Sequence, residues 1–208
     1  MSNLTRHAFF LGALLLCVVL ISGDNQALQS ALAQESALTG QLLVATERMR
    51  DPRFAKTVIY IVEHDGNGAF GLIVNRPHAE GPISALLDKF GLKHDDVLGD
   101  ITVHYGGPVD SGMAFILHSP EYIIEGTLVV DELVALTSKP EVLRDIGIGK
   151  GPHRSLLAFG YSGWGPGQLE GEVRRGDWLM IDADPEIVFG PNPAAKWRRA
   201  IDTGGDFI

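Results

Sequence analysis

The pattern of apolar and polar positions changes period several times along the chain. "AFFLGALLLCVVLI" (8–21) is an unbroken run of 14 apolar residues. Further on, "TVIYIVEH" (57–64) and "AFGLIVN" (69–75) are nearly all apolar and rich in β-branched residues, and they flank "DGNG". Two such runs around an Asn-Gly turn predict a β-hairpin. Polar residues do not alternate within them, so both strands are expected to be buried on both faces. Pro77 has no N–H for a ladder and is expected to end the second strand.

A helical period follows in "GPISALLDKFG" (81–91), which sets Ile83, Leu86, Leu87 and Phe90 on one face, with Pro82 at the start and Gly91 as the stop. Strands are predicted at 101–107 and 113–119 around a Gly-Pro turn, and at 123–130. Asp131 is placed to cap a helix over "ELVALTSK", and Pro140 to open a short helix ended by Gly147. "SLLAFGY" (155–161) and "DWLMIDA" (177–183) predict strands, as does "PEIVF" (185–189). Between them, 160–165 reads as a tight loop. It leads into a helix with Leu169 and Val173 on one face, Glu170 and Arg174 paired on another, and Gly176 just past its end. Asn192-Pro193 begins a last helix that turns Ala194, Trp197 and Ile201 inward. Strands and helices are mixed, a hairpin comes first, and no repeat or composition shift marks a second domain. The expected class is α+β, a single domain with a mixed sheet and flanking helices.

The first apolar run changes the domain picture. It follows Arg6 and His7 and is shorter than the roughly 20 residues of a membrane span. It fits a signal-peptide core, and "ALA" (31–33) offers a peptidase site before Gln34. The expected organisation is a signal peptide over 1–33 and one domain over 34–208, periplasmic or secreted. The alternative is an uncleaved anchor, the only case in which membrane attachment is expected.

Charge and cysteine content narrow the chemistry. The formal net charge is −9, and "WRRA" (197–200) is the densest basic stretch. That balance, with no helix-turn-helix pattern, predicts no sequence-specific nucleic-acid binding. Cys17 is the single cysteine and falls in the signal segment, so the mature domain has no disulfide, thiolate metal site or cysteine nucleophile.

"GYSGWGPGQLEGE" (160–172) holds the most suggestive chemistry, because Ser162 stands between glycines after an apolar strand. A nucleophile elbow needs G-x-S-x-G, but Trp164 occupies the last glycine position. His104, His118 and His153 all precede Ser162 and no histidine follows it, the reverse of the hydrolase order. Gly165 and Gly167 mark close backbone approach, to a strand or to a ligand. "IGKGPHR" (148–154) lacks the first glycine and the final Ser or Thr of a phosphate loop. There is no HExxH, so no metal or cofactor is expected. His64 reads as a hydrogen-bonded structural histidine.

Three ordered stretches together carry a resemblance: 40–77, 104–119 and 159–179. The chain resembles the YqgE/AlgH family of bacterial proteins over essentially all of its mature length. That resemblance implies an α+β fold with a partly barrel-like mixed sheet. It also implies a family that includes a protein described as a candidate regulator of alginate production, without one assigned biochemical activity. Family members are usually cytoplasmic and lack the N-terminal extension, which makes the cytoplasm a second expected location. At the position of Ser162 the family has Ala or Ser. Residues matching its motifs are Asn75, Arg76, Gly106, Gly107, Pro108, Gly160, Tyr161, Gly163, Trp164, Gly165, Pro166, Gly167, Gln168 and Glu170. With Ser162, they are candidates for a shared pocket or a shared framework. The function expected is a non-enzymatic binding or regulatory domain with a protein or small-molecule partner. The alternative is a serine hydrolase using Ser162 and an upstream histidine.

Overall fold

Val58–Asp65 (β2) and Gly68–Ile73 (β3) form the hairpin that the apolar runs predict. Gly66 and Asn67 make the turn, and the Asn67 amide donates to Asp65 Oδ1 at 2.7 Å. This is seen in a computed structural model that describes residues 38–205. The signal segment predicted over 1–33 lies outside the described residues. The other strands are β1 (Gln41–Ala45), β4 (Pro77–Pro82), β5 (Asp100–Tyr105), β6 (Val109–His118), β7 (Leu128–Val129), β8 (Ala135–Thr137), β9 (Ser155–Trp164) and β10 (Trp178–Asp182). The helices are α1 (Ile83–Lys89), α2 (Glu141–Gly147), α3 (Gln168–Arg174), α4 (Pro185–Val188) and α5 (Pro193–Gly205).

The strands join in the order β10-β1-β2-β3-β9-β6-β8-β7, with the β4–β5 pair branching from β9. The β5–β9 pairing is parallel and the rest are antiparallel, so the sheet is mixed. It curls into a half-barrel, and the helices flank it. Ten-residue β9 holds this curl together. Its first half lies between β5 and β6, and its last residues, Ser162 to Trp164, switch to β3.

Double-sided burial of β1 and β2 follows from the period of two. Leu42, Val44, Val58, Tyr60 and Val62 point into one core, which α4 and α5 cover through Ile187, Val188, Trp197 and Ala200. Leu43, Ala45, Ile59 and Ile61 point into a second, covered by Leu169 of α3 and by Met49 and Phe54 of the loop after β1. A third cluster joins Ile83, Leu87, Val142 and Leu143 of α1 and α2 to Ile116 and Leu157.

Several elements differ from the pattern-based expectation. Residues 160–164 of the predicted loop are the end of β9, because their backbone pairs with β3 and β6. The predicted 132–139 helix is instead β8. Asp131 Oδ1 accepts from the Leu133 and Val134 amides, both at 2.7 Å, and closes a turn between β7 and β8. Of the predicted 123–130 strand only β7 pairs, since the chain turns at Gly126. The 185–189 run is helix α4, because Asp184 Oδ1 caps the Glu186 amide at 2.7 Å and Pro185 begins the helix. Pro77 begins β4 rather than ending a strand, a place open to proline because β4 is an edge. On α5, Ala194 is exposed and Lys196 is buried in its stead.

Candidate functional site

Ser162 is fully buried, and its hydroxyl donates to the Gly106 carbonyl at 3.3 Å. The strand pleat turns it inward while Gly163 stays exposed. The upstream histidines are engaged elsewhere. His104 Nδ1 is 3.3 Å from the Leu157 carbonyl, and His118 Nδ1 is 3.0 Å from that of Ser119. Burial lowers the His104 pKa, and the nearby Lys196 charge lowers it further. Among the described residues no nucleophile–base hydrogen bond reaches Ser162.

Gly106 and Gly107 sit where β5 ends against β3 and β9. Gly106 takes a hydrogen bond from Ile73 and gives one to Phe159. A Cβ at Gly106 would collide with the Gly160 carbonyl oxygen, and one at Gly107 with the Tyr161 backbone. Only bare backbone fits at the point where β9 changes partners. Tyr161 packs edge-on against Phe70, with ring centroids 5.1 Å apart. These positions form the framework of the sheet switch.

Asn75 and Arg76 brace the loop between β1 and β2. Asn75 Oδ1 accepts from the Val58 amide at 2.8 Å, and its Nδ2 donates to the Lys56 carbonyl at 2.9 Å. Arg76 donates to the Ala55 carbonyl at 2.9 Å.

That loop is one wall of a cleft of about 1090 Å³. Pro108, Val109, Gly163 and Trp164 form the opposite side, and α3 with the turn after it contributes Gln168, Glu172, Arg175 and Asp177. Of the motif residues, Pro108, Gly163, Trp164 and Gln168 therefore line the cleft, while Asn75 and Arg76 support it from behind. Gly165, Pro166 and Gly167 are exposed at the turn into α3. Gly167 adopts a left-handed conformation, with φ of 72°, immediately before the helix. Gly176 is the predicted helix terminator, and its amide donates to the Val173 carbonyl at 2.9 Å. The carboxylate of Glu170 pairs with His64, at 3.0 Å, rather than with Arg174.

The cleft floor is aromatic and rigidly tied. Phe54 stacks on Trp164 with centroids 6.5 Å apart, and both approach Trp178. Glu172 Oε2 accepts from the Trp164 and Trp178 indoles, and its Oε1 accepts from Gln168 Nε2 at 3.1 Å. At the rim Arg53 binds Asp51 and Arg175 binds Asp177. The Arg53 guanidinium, hydrogen-bonded to Asp51, holds that carboxyl below its ordinary pKa. Sequence reasoning missed Arg48, Arg50, Phe54 and Glu172. The arginine-rich stretch "ERMRDPRF" (47–54) was a visible signal for the first three; nothing local marks Glu172 as the acceptor for two distant tryptophans. Among the described residues, no cluster of His, Cys, Asp and Glu could hold a metal ion. No helix there is long and apolar enough to cross a membrane.

A family model described as AlgH-like matches residues 42–207, a span that takes in the sheet, the switch and every wall of the cleft. The chain belongs to the AlgH-like family. Its AlgH-like relatives include a UPF0301 protein of Jannaschia sp. (strain CCS1), 44% identical over 170 residues, covering 81% of this chain and 88% of that one. Another, from Rhodospirillum rubrum, is 44% identical over 167 residues, covering 80% and 87%. Among solved structures, the AlgH protein from Pseudomonas aeruginosa superposes with a TM-score of 0.67 at 35% identity, covering 82% of this chain and 90% of that one. A protein from Corynebacterium diphtheriae shares the fold at a TM-score of 0.63 and 20% identity, covering 80% and 86%. The AlgH-like assignment agrees with the motif resemblance and with the curled mixed sheet expected from it.

Proposed function

We propose that this chain is a non-enzymatic binding domain with a regulatory rather than a chemical task, and that its ligand or partner occupies the cleft over Trp164. One observation carries this reading: the loop after β1, the end of β9 and α3 converge on a single cleft whose floor and walls are already hydrogen-bonded into place. Pre-organised walls lower the ordering cost of binding. A concave site with an aromatic floor and a few placed polar groups is the usual form of a binding pocket. Ser162, by contrast, is fully buried with a carbonyl as its partner and does not line the cleft.

The test is a ligand screen by 15N NMR that follows the Trp164 indole N–H. Gln168 is exposed, so Gln168→Ala should keep the fold while weakening whatever the wild type binds. Equal binding by the variant and by a second cleft-rim variant, Arg50→Ala, would move the site elsewhere. Turnover of an ester substrate would overturn the non-enzymatic reading.

The 14-residue apolar run and the "ALA" site at 31–33 support export of the mature domain, starting at Gln34. N-terminal sequencing of the native protein decides this: a full-length chain in the cytosolic fraction overturns it. Direct, sequence-specific DNA binding has no place in this reading, given the net charge of −9. A sequence-dependent mobility shift with purified protein would overturn that.

A further inference from the structure

The polar groups around the cleft differ in how far they are already used. Glu172 is committed to two indoles and to Gln168. Gln168 Oε1 is in turn taken by the Gly165 amide at 3.2 Å. Asp51 and Asp177 are held by Arg53 and Arg175, at 2.6 and 2.9 Å. Among the described residues, Arg48 and Arg50 have neither an ion-pair partner nor a side-chain hydrogen bond. Their guanidinium donors are the cationic capacity that the cleft has left over. Glu47, the one uncommitted acid of the lining, is exposed. Beneath them lie Met49, Phe54 and Trp164, an apolar and partly aromatic floor.

We propose that the cleft binds a small anion carrying a planar aromatic group, with the carboxylate or phosphate on Arg48 and Arg50 and the ring against the apolar floor of Met49, Phe54 and Trp164. This rests on the cleft being the binding site and goes on to name its ligand class. Guanidinium groups suit carboxylate and phosphate because their donors are fixed in a plane and match two acceptor oxygens. Asp51 and Asp177 are already matched by Arg53 and Arg175, so among the described residues Arg48 and Arg50 are the guanidiniums of this cleft without a carboxylate partner. A neutral aromatic would leave both guanidiniums unused, and a cationic one would face them.

The experiment compares three probes of one ring system: 1-naphthoate, neutral 1-naphthamide and 1-naphthylmethylammonium. Each is titrated into the protein while the Trp164 indole cross-peak is followed. Naphthoate is expected to bind at least about tenfold more tightly than the amide, the scale of one charge-assisted hydrogen bond. Arg48→Gln with Arg50→Gln should erase that preference, bringing naphthoate down to the affinity of the amide. Both arginines are exposed, so the double variant should fold; its wild-type thermal midpoint confirms that. If the amide or the ammonium binds as tightly as naphthoate, the ligand class is wrong although the cleft still binds. If the double variant keeps the preference, the arginines are not the anion site. If no probe of any charge moves the Trp164 peak, the cleft reading itself fails.

Discussion

Trp164 and Trp178 donate their indole N–H groups to the same carboxylate oxygen, Oε2 of Glu172, at 2.9 and 2.8 Å. One comes from the end of β9 and the other from the start of β10, so a single α3 side chain ties the two strand ends together. Both rings are largely buried, and each N–H would be left without an acceptor if the carboxylate were removed. Glu172→Ala should therefore destabilise the domain by roughly 2–5 kcal/mol, the cost of two unpaired buried donors. Glu172→Gln keeps an acceptor oxygen and should cost less than half as much. Urea unfolding gives the ranking, and near-UV circular dichroism reports the loosened tryptophans. An alanine variant as stable as the glutamine variant would show that the shared acceptor matters little.

Asn75 gives a second, local test. Its side chain substitutes for a strand at the point where β2 begins, serving the buried Val58 amide and the Lys56 carbonyl. Asn75→Ala should cost about 1–3 kcal/mol. It should also speed hydrogen exchange at the Val58 amide more than at the Tyr60 amide, which β1 and β3 flank. Asn75→Asp retains the acceptor for Val58 and should protect that amide. Unchanged exchange at Val58 in the alanine variant would contradict the bracing role.

Ser162→Ala should be nearly silent. The hydroxyl makes one long hydrogen bond, at 3.3 Å, worth at most about 1 kcal/mol. A fluorophosphonate probe should label neither the wild type nor the variant. Labelling that disappears with Ser162→Ala would instead reveal a nucleophile and restore the hydrolase alternative.

Lys196 sets a pH dependence. Its ammonium is buried and donates to the Val74 and Val188 carbonyls at 2.9 and 2.7 Å. Neither partner is a carboxylate, and burial pulls its pKa down from 10.5 to about 8. Between these values the unfolded chain holds a proton that the folded chain has released, so stability should rise with pH across that window. Below it, the folded state carries the full cost of a buried charge. His104, whose pKa is also lowered, is neutral throughout and adds no slope there. Lys196→Met should remove the rise. The measurement is the urea midpoint from about pH 7 to 9.5 for both proteins, below the range where unfolded-state tyrosines ionise, and parallel curves would refute the assignment.

Much of the framework was legible because it depends on local chemistry. The hairpin around Gly66-Asn67 announces itself in two apolar runs and a turn, and the helix end at Gly176 needs only its neighbours. Where local preference and pairing compete, the sequence misleads. Residues 132–139 carry a helical pattern, yet Ala135, Leu136 and Thr137 gain more by pairing with the end of β6. The 160–165 stretch looks like a loop because of its glycines, but Gly160 lies against the Gly107 and Val109 carbonyls, where strands meet too closely for a side chain.

The sequence by itself determined the α+β class, the family motifs and the absence of an intact nucleophile elbow, since each is written in neighbouring residues. Only the tertiary structure decided what the motifs do. It placed Gly106, Gly107, Tyr161 and Ser162 in the sheet switch, Asn75 and Arg76 behind a loop, and Trp164 and Gln168 on a cleft. It also brought Arg48 and Arg50 to the rim above Trp164 and gave two tryptophans one carboxylate. These relations join residues far apart in the chain. They arise from burial and backbone pairing across the whole sheet, which no short stretch of sequence can express.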